Sequence, residues 1–247
     1  MLQRWFGGKA HSRLHYFTLL LFVVGMVCSK FLMSMGLLLG ALNFLLEADF
    51  KTYYRRLSEN RLVHLLLLFY FLFWISLLWS QNWTEGFDQL RRLTSLLLIP
   101  LIIAARPLPT AKKTEGLWSF FLGALLVSSL INSISYHFFA EQLQLIDIRD
   151  MSLFGSHIRF GILIGFGLSL ALFRFASNCW YGLLALWFLY YTFDSQALSG
   201  VLTVVIVLLG HTIHFLLQKR KVVWVFGIGA FSLLLLVSLV YYLSQPI

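Results

Sequence analysis

Three arginines and one histidine in this sequence have the chemistry to bind and activate an anionic ligand. Arg91, Arg92 and Arg159 lie where apolar segments begin, and His157 stands two residues before Arg159. A guanidinium in a membrane costs free energy unless an anion accompanies it, at least about 2.5–3.5 kcal/mol at a helix centre. Histidine is the side chain that most often serves as a general base near neutral pH. These residues predict an anion-binding site with His157 as a candidate base.

The stretch around Arg159 reads Phe-Gly-Ser-His-Ile-Arg-Phe-Gly over residues 154–161. Its two glycines permit a close approach between backbone and ligand. If a helix begins here, the partial positive charge of its N-terminus suits a phosphate. Two simpler interpretations stay open. Arg159 could snorkel to the membrane interface, and His157 could be an ordinary solvated loop residue.

Arg91 and Arg92 end a polar stretch, residues 81–92, whose composition favours a short surface helix. Asp88 and Arg92 are one helical turn apart, so we predict an ion pair between them. Arg91 is then left to turn toward a ligand. The alternative is that both arginines anchor to lipid phosphates.

Other polar residues inside apolar segments predict packing more than catalysis. Asn132, Ser133 and Ser135 are expected to hydrogen-bond between helices. Asp194 is a possible partner for Arg159, and His137 is expected at the interface. His211 and His214 lie three residues apart without a third ligand, so we predict no metal site and no cofactor.

The composition is that of an integral membrane protein. Hydrophobic residues make up 60% of the 247 residues and charged residues 12%, about half the charge of a typical soluble domain, and the mean hydropathy is +0.82. The net charge of +9 is scattered between apolar segments, which argues against a nucleic-acid partner. We find no sequence motif of soluble hydrolases or ATPases.

We predict an all-α, polytopic membrane protein that forms one transmembrane domain over residues 1–247. A span needs about 20 mostly apolar residues. By that criterion the sequence contains nine spans, at residues 14–29, 31–48, 62–79, 90–105, 116–139, 158–175, 178–193, 197–217 and 222–243. The first two spans form a helical hairpin that turns at Ser29-Lys30.

The basic residues predict the orientation of these spans. With a cytoplasmic N-terminus, the outer side holds only Lys30, Arg91, Arg92, Arg149 and Arg159, which leaves 14 of the 19 Lys and Arg residues on the cytoplasmic side. Cytoplasmic loops of membrane proteins are enriched in these residues. The C-terminus, Ile247, then lies on the outer side.

Two segments resemble a known family, the bacterial O-antigen ligases and the related O-antigen polymerases. Residues 78–93, followed by Leu98-Ile99-Pro100-Leu101, are similar to an early segment of that family. There, a span ends near Ser, an E-G-x-x-x-L-R-R helix follows, and a Pro-containing span returns. Residues 154–161 resemble the family's F-G-(N/H)-x-x-R-F-G segment.

The resemblance implies a membrane glycosyl transferase of the bacterial inner membrane. Such an enzyme moves a glycan from a polyprenyl diphosphate carrier to a lipid A-core or glycan acceptor at the periplasmic face, without a metal. It implies that Arg159 binds the diphosphate, that Arg91 or Arg92 assists, and that His157 contacts the acceptor. The expected partners are the lipid-linked glycan, its acceptor and membrane lipids.

The sequence departs from the family at two places. Relatives carry a second arginine where the eighth span opens, whereas residues 194–200 here contain none. The chain also stops where the family's large periplasmic loop begins, so we expect it to be inactive alone. The alternatives are a transporter or flippase for lipid-linked sugars, and a non-catalytic membrane subunit.

The charge distribution generates a testable topology. A reporter active only in the periplasm should work when fused after Gln144 or Ile247, and should fail after Thr110 or Lys219. Activity of each fusion in intact cells measures this directly. A working fusion at Thr110 would reverse the orientation.

Overall fold

A computed structural model describes residues 8–106, 110–175 and 177–218, and these residues form helices without any strand. The predicted ninth span, 222–243, lies outside the described residues. Two short 3₁₀ turns, Leu77–Trp79 and Ile148–Met151, accompany ten α-helices. The helices are α1 (Gly8–Cys28), α2 (Lys30–Glu47), α3 (Phe50–Glu59), α4 (Arg61–Ser76), α5 (Trp83–Arg92), α6 (Thr94–Ala105), α7 (Ala111–Phe139), α8 (His157–Phe175), α9 (Trp180–Asp194) and α10 (Leu198–Gln218).

Several of these helices have the length and composition of membrane spans, which indicates a membrane-embedded protein. Six described segments are long and apolar enough to cross a bilayer: Lys9–Cys28, Lys30–Glu47, Arg61–Trp79, Ala111–Phe139, His157–Phe175 and Leu198–Leu217. Helices α6 and α9 fall at two other predicted spans, but they contain only 12 and 15 residues. The helical fold class therefore holds, and the count of nine spans is not confirmed.

The helix ends follow from local side-chain chemistry. Helices α1 and α2 are separated by Ser29 alone, which is extended with φ −162° and ψ 127°, as the predicted hairpin requires. The side chain of Asn60 caps α4 by accepting from Leu62 N and Val63 N. Asn82 caps α5 by accepting from Glu85 N at 3.2 Å. The predicted surface helix over residues 81–92 is thus present as α5.

The chain divides into two compact units, Met1–Phe120 and Phe121–Ile247, called here the N-terminal and C-terminal units. In the N-terminal unit, α1 packs along α2. His11 Nδ1 and Asn43 Oδ1 lie 2.7 Å apart, and both residues are buried. The carboxylate of Glu47, at the end of α2, is held by both Nε and Nη2 of Arg106, just beyond α6. These polar contacts gather at one end of the unit.

The C-terminal unit packs α8 against both α9 and α10. Trp187 of α9 donates through Nε1 to Ser129 Oγ of α7 at 2.8 Å. Gly161 of α8 and Gly200 of α10 meet so closely that a methyl group on Gly161 would lie 2.9 Å from the Gly200 nitrogen. The room that Gly161 leaves is therefore filled by the neighbouring helix, not by a ligand.

The Gly161–Gly200 contact predicts a selective loss of stability. Gly161→Ala should separate α8 from α10 and destabilise the protein by about 1–3 kcal/mol, as overpacked sites do. Gly210→Ala in α10, the partner helix of the contact, is the matched control, because a methyl group on Gly210 meets nothing within 4 Å. Thermal unfolding of the detergent-solubilised protein measures both variants. Equal melting temperatures for the two would contradict the close packing.

Candidate functional site

The polar side chains of the C-terminal unit converge where α9 ends. Asn132 of α7 is fully buried, and both the nitrogen and the oxygen of its amide form hydrogen bonds. Its amide nitrogen donates to the Tyr191 hydroxyl at 3.2 Å, and its oxygen accepts from Leu153 N at 3.2 Å. This one side chain therefore ties α7 to α9 and to the loop that precedes α8. The sequence-based prediction that Asn132 bonds between helices is confirmed.

Asp194, the last residue of α9, holds a histidine. Its two carboxylate oxygens lie 2.9 and 3.1 Å from His137 Nε2, and Oδ2 also accepts from Ser133 Oγ at 3.1 Å. Only 13% of the Asp194 side chain is exposed, whereas 45% of the His137 side chain is. A carboxylate that fixes one ring nitrogen orients the other, as in catalytic dyads. The contacts described for Asp194 are with His137 and Ser133, and its suggested partnership with Arg159 stays a prediction.

His157 contacts the same end of α9. Its Nε2 donates to the Ser195 carbonyl at 3.0 Å, and the ring is half-buried. The next residue, Gln196, has φ 49°, so the chain turns sharply between α9 and α10. A neutral histidine that donates through Nε2 keeps its lone pair on Nδ1. The predicted base is therefore held in place by the backbone of Ser195.

The loop before α8 is ordered by its own charges. Asp147 and Asp150 form a capping box around the turn Ile148–Met151. Asp147 also accepts from Arg149 Nε at 3.0 Å and Nη2 at 2.7 Å. The hydrogen bond from Arg149 lowers the pKa of Asp147 to about 2. Because this folded-state pKa is depressed, the pair is intact above about pH 4 and is lost only as the pH falls toward 2.

A cleft of about 560 Å³ opens between this loop, the start of α8 and the start of α10. Five of its lining residues are charged or polar: Asp147, Arg149, His157, Gln196 and Ser199. Four are apolar: Ile148, Ile158, Leu198 and Leu202. The cleft therefore suits a molecule with a polar head and an apolar chain.

The predicted site residues belong to both units. His157 lines the cleft, and Arg159 sits half-buried one position beyond the cleft-lining Ile158. Arg159 lies in the first turn of α8, as predicted. Arg91 and Arg92 end α5 in the N-terminal unit and are exposed. The predicted ion pair of Asp88 forms with Arg91, at 3.5 Å, not with Arg92.

Sequence reasoning missed the pairing of His137 with Asp194, which are 57 residues apart. One signal was available, because each residue ends an apolar segment on the predicted outer side. Pairing them required knowledge of which helices are neighbours.

Across the described residues no group of three or more His, Cys, Asp or Glu could hold a metal ion. His211 and His214 instead lie against the ring of Phe173.

No family model, curated protein or solved structure matches this chain.

Proposed function

We propose that the protein binds a polyprenyl diphosphate-linked glycan at the outer end of α8 and α10. We further propose that it takes part in transferring the glycan to a lipid A-core or glycan acceptor, as an O-antigen ligase-like transferase of the bacterial inner membrane. The observation that carries the proposal is the cleft, whose lining combines charged and polar side chains with apolar ones. A lipid-linked sugar likewise combines polar and apolar parts.

Two of the apolar lining residues of the cleft lie in the first turns of α10. Leu198 and Leu202 are one helical turn apart, and Leu202 is 41% exposed. A polyprenyl chain lying along this face would remove apolar surface from water at the membrane boundary, at about 25 cal/mol per Å². The diphosphate would then lie near the first turn of α8. This arrangement keeps the lipid chain in the bilayer and the glycan outside it.

The charges near α8 suit a diphosphate leaving group. Arg159 lies in the first turn of a 19-residue helix, whose N-terminus adds partial positive charge. A guanidinium can bind phosphate oxygens in a bidentate manner and stabilise the charge that grows as the sugar–phosphate bond breaks. Arg149 is less suited, because Asp147 already engages it.

Transfer also needs a group that takes the proton of the acceptor hydroxyl. Two histidines are held by donation through Nε2, His157 to the Ser195 carbonyl and His137 to the Asp194 carboxylate. Each leaves Nδ1 as the nitrogen that accepts a proton. His157 lines the cleft and is the first candidate. His137 has the stronger orienting partner and is the second.

The contacts at one end of the N-terminal unit support the proposed orientation. His11 meets Asn43, Arg106 meets Glu47, and Lys113 lies over the ring of Tyr16 at 5.7 Å. These contacts bring basic residues from the ends of α1, α6 and α7 to the same end of the unit: Lys9, Arg13, Arg106, Lys112 and Lys113. A strongly basic end favours the cytoplasmic side.

The polar side chains within α7 offer little to a transport mechanism. Asn132 is bonded to Tyr191 and Leu153, and Ser129 accepts from Trp187. Transporters instead place polar groups and broken helices around a substrate near mid-membrane. These bonds join helices, which favours the transferase proposal over a flippase.

Filling the cleft should weaken ligand binding. Leu202→Trp introduces a bulky ring into its apolar part and should weaken binding of a polyprenyl diphosphate by about 10-fold or more, since lost apolar burial and a steric block both oppose the ligand. Leu208→Trp is the matched control, because Leu208 is 40% exposed, lies on a different face of α10 from Leu202 and is outside the cleft lining. Titration of each variant in nanodiscs measures the difference. Equal affinities would remove the cleft from the proposal.

Alanine substitutions of Arg159 and Arg149 should differ in their effect on diphosphate binding. Arg159→Ala should weaken binding of the same diphosphate by about 10-fold or more, the value of a lost charge-assisted hydrogen bond. Arg149→Ala should change it by less than about 2-fold, because Asp147 already neutralises Arg149. Arg159→Lys should restore binding only in part, since a point charge replaces a planar fork. Equal losses for both alanine variants would leave Arg159 without a role.

A further inference from the structure

The helices that flank α3 indicate that it lies at a membrane surface. Helix α2 ends at Glu47 and α4 begins at Arg61, and both have the length and composition of membrane spans. The chain between two consecutive spans stays on one side of the bilayer. The ten residues of α3, Phe50–Glu59, therefore lie at that surface, whichever side of the membrane it is.

One face of α3 is attached to the protein. Tyr53 is only 2% exposed, and its ring stacks on that of Phe44 in α2 with centroids 4.7 Å apart. Phe50 packs edge-on against both rings while remaining 55% exposed. The helix is thereby held in a fixed rotation about its own axis.

The opposite face is exposed and carries two basic residues, with the acidic Glu59 at its end. Lys51, Tyr54, Arg55 and Ser58, called here the α3 row, are all exposed, and Tyr54 reaches 75%. Their spacing of three and four residues puts them on one side of a helix. Lys51 and Arg55 are one turn apart, with a tyrosine between them. Tyrosine is enriched where a membrane meets water.

The surroundings of the α3 row are also basic. The contacts of α1, α2 and α7 at this end bring Lys9, Arg13, Lys112 and Lys113 to the same end of the unit. Glu47, at the end of α2, is engaged by Arg106, and the two acids that flank α3, Asp49 and Glu59, are outnumbered by the basic residues at this end. The local field therefore favours an anion at the membrane surface.

We propose that the α3 row is a binding site for the head group of an anionic phospholipid. Lys51 and Arg55 would hold one lipid phosphate between them, and Tyr54 and Phe50 would lie against the upper acyl chain. A free phosphate uses the two cations but not the two aromatic rings. A second copy of this chain would bring the same positive charge and be repelled.

Lipid binding to purified full-length protein tests the proposal. In native mass spectrometry or nanodisc titration, phosphatidylglycerol should bind about 5-fold to 30-fold more weakly to the Lys51→Gln/Arg55→Gln variant than to the wild type. The charge-preserving Lys51→Arg/Arg55→Lys variant should bind like the wild type. Phosphatidylcholine should not respond to either change, and salt should weaken only the phosphatidylglycerol interaction.

A second measurement uses the wild-type protein and does not depend on how a variant folds. Acetylation of Lys51 by a water-soluble reagent should be several-fold slower in phosphatidylglycerol nanodiscs than in phosphatidylcholine nanodiscs. Lys30, exposed at the α1–α2 turn and so at the other end of both helices, is the internal control for reagent access. Soluble glycerol phosphate at the same concentration should give no protection.

Three results would overturn the proposal. The first is equal affinity of the wild type and the double glutamine variant for phosphatidylglycerol. The second is that phosphatidylglycerol slows acetylation of Lys51 and Lys30 equally. The third is that glycerol phosphate fully protects Lys51 from acetylation. The last would assign the site to a soluble anion. Failure here would leave the proposed function untouched, because the α3 row and the cleft lie in different units.

Discussion

A polar group inside a bilayer finds no water, and this constraint organises the whole structure. Helices satisfy their own backbone groups, so the described residues contain helices and no strands. Side chains within the spans must find partners among neighbouring helices. Asn132 shows the result: the residue is fully buried, and both ends of its amide are bonded to other segments. A polar residue placed there without partners would be costly.

The same constraint places charged groups at helix ends and pairs them there. Glu47 and Arg106 are each less than 20% exposed and hold α2 against the end of α6. Asp194 holds His137 where α9 and α7 finish. Removing one partner of such a pair leaves the other uncompensated, which costs more than the pair contributes. These contacts join helices that are distant in sequence.

The chemistry proposed for the protein depends on this sorting of charge. A lipid-linked diphosphate has its apolar part in the membrane and its charge at the boundary. The lining of the cleft beside α8 contains both kinds of side chain, since His157 and Gln196 line it together with Leu198 and Leu202. Helix α3 also has a buried side and a charged side, because Tyr53 is buried whereas Lys51 and Arg55 are exposed. In both proposals, the boundary between hydrocarbon and water selects an amphipathic, anionic ligand.

The sequence by itself determined the helical class and most helix positions, because about 20 consecutive apolar residues have few other stable conformations. The turn at Ser29, the surface helix α5 and the start of α8 at His157 were predictable for the same local reasons. Segments 90–105 and 178–193 were read as spans, but their helices are shorter, since hydropathy does not report where a helix ends. Only the tertiary structure decided that Asp194 meets His137, that Gly161 meets Gly200, and that His157 lines a cleft. These contacts depend on which helices pack together. The hydrophobic periodicity of a helix shows which face is apolar, but it does not show which other helix packs against that face.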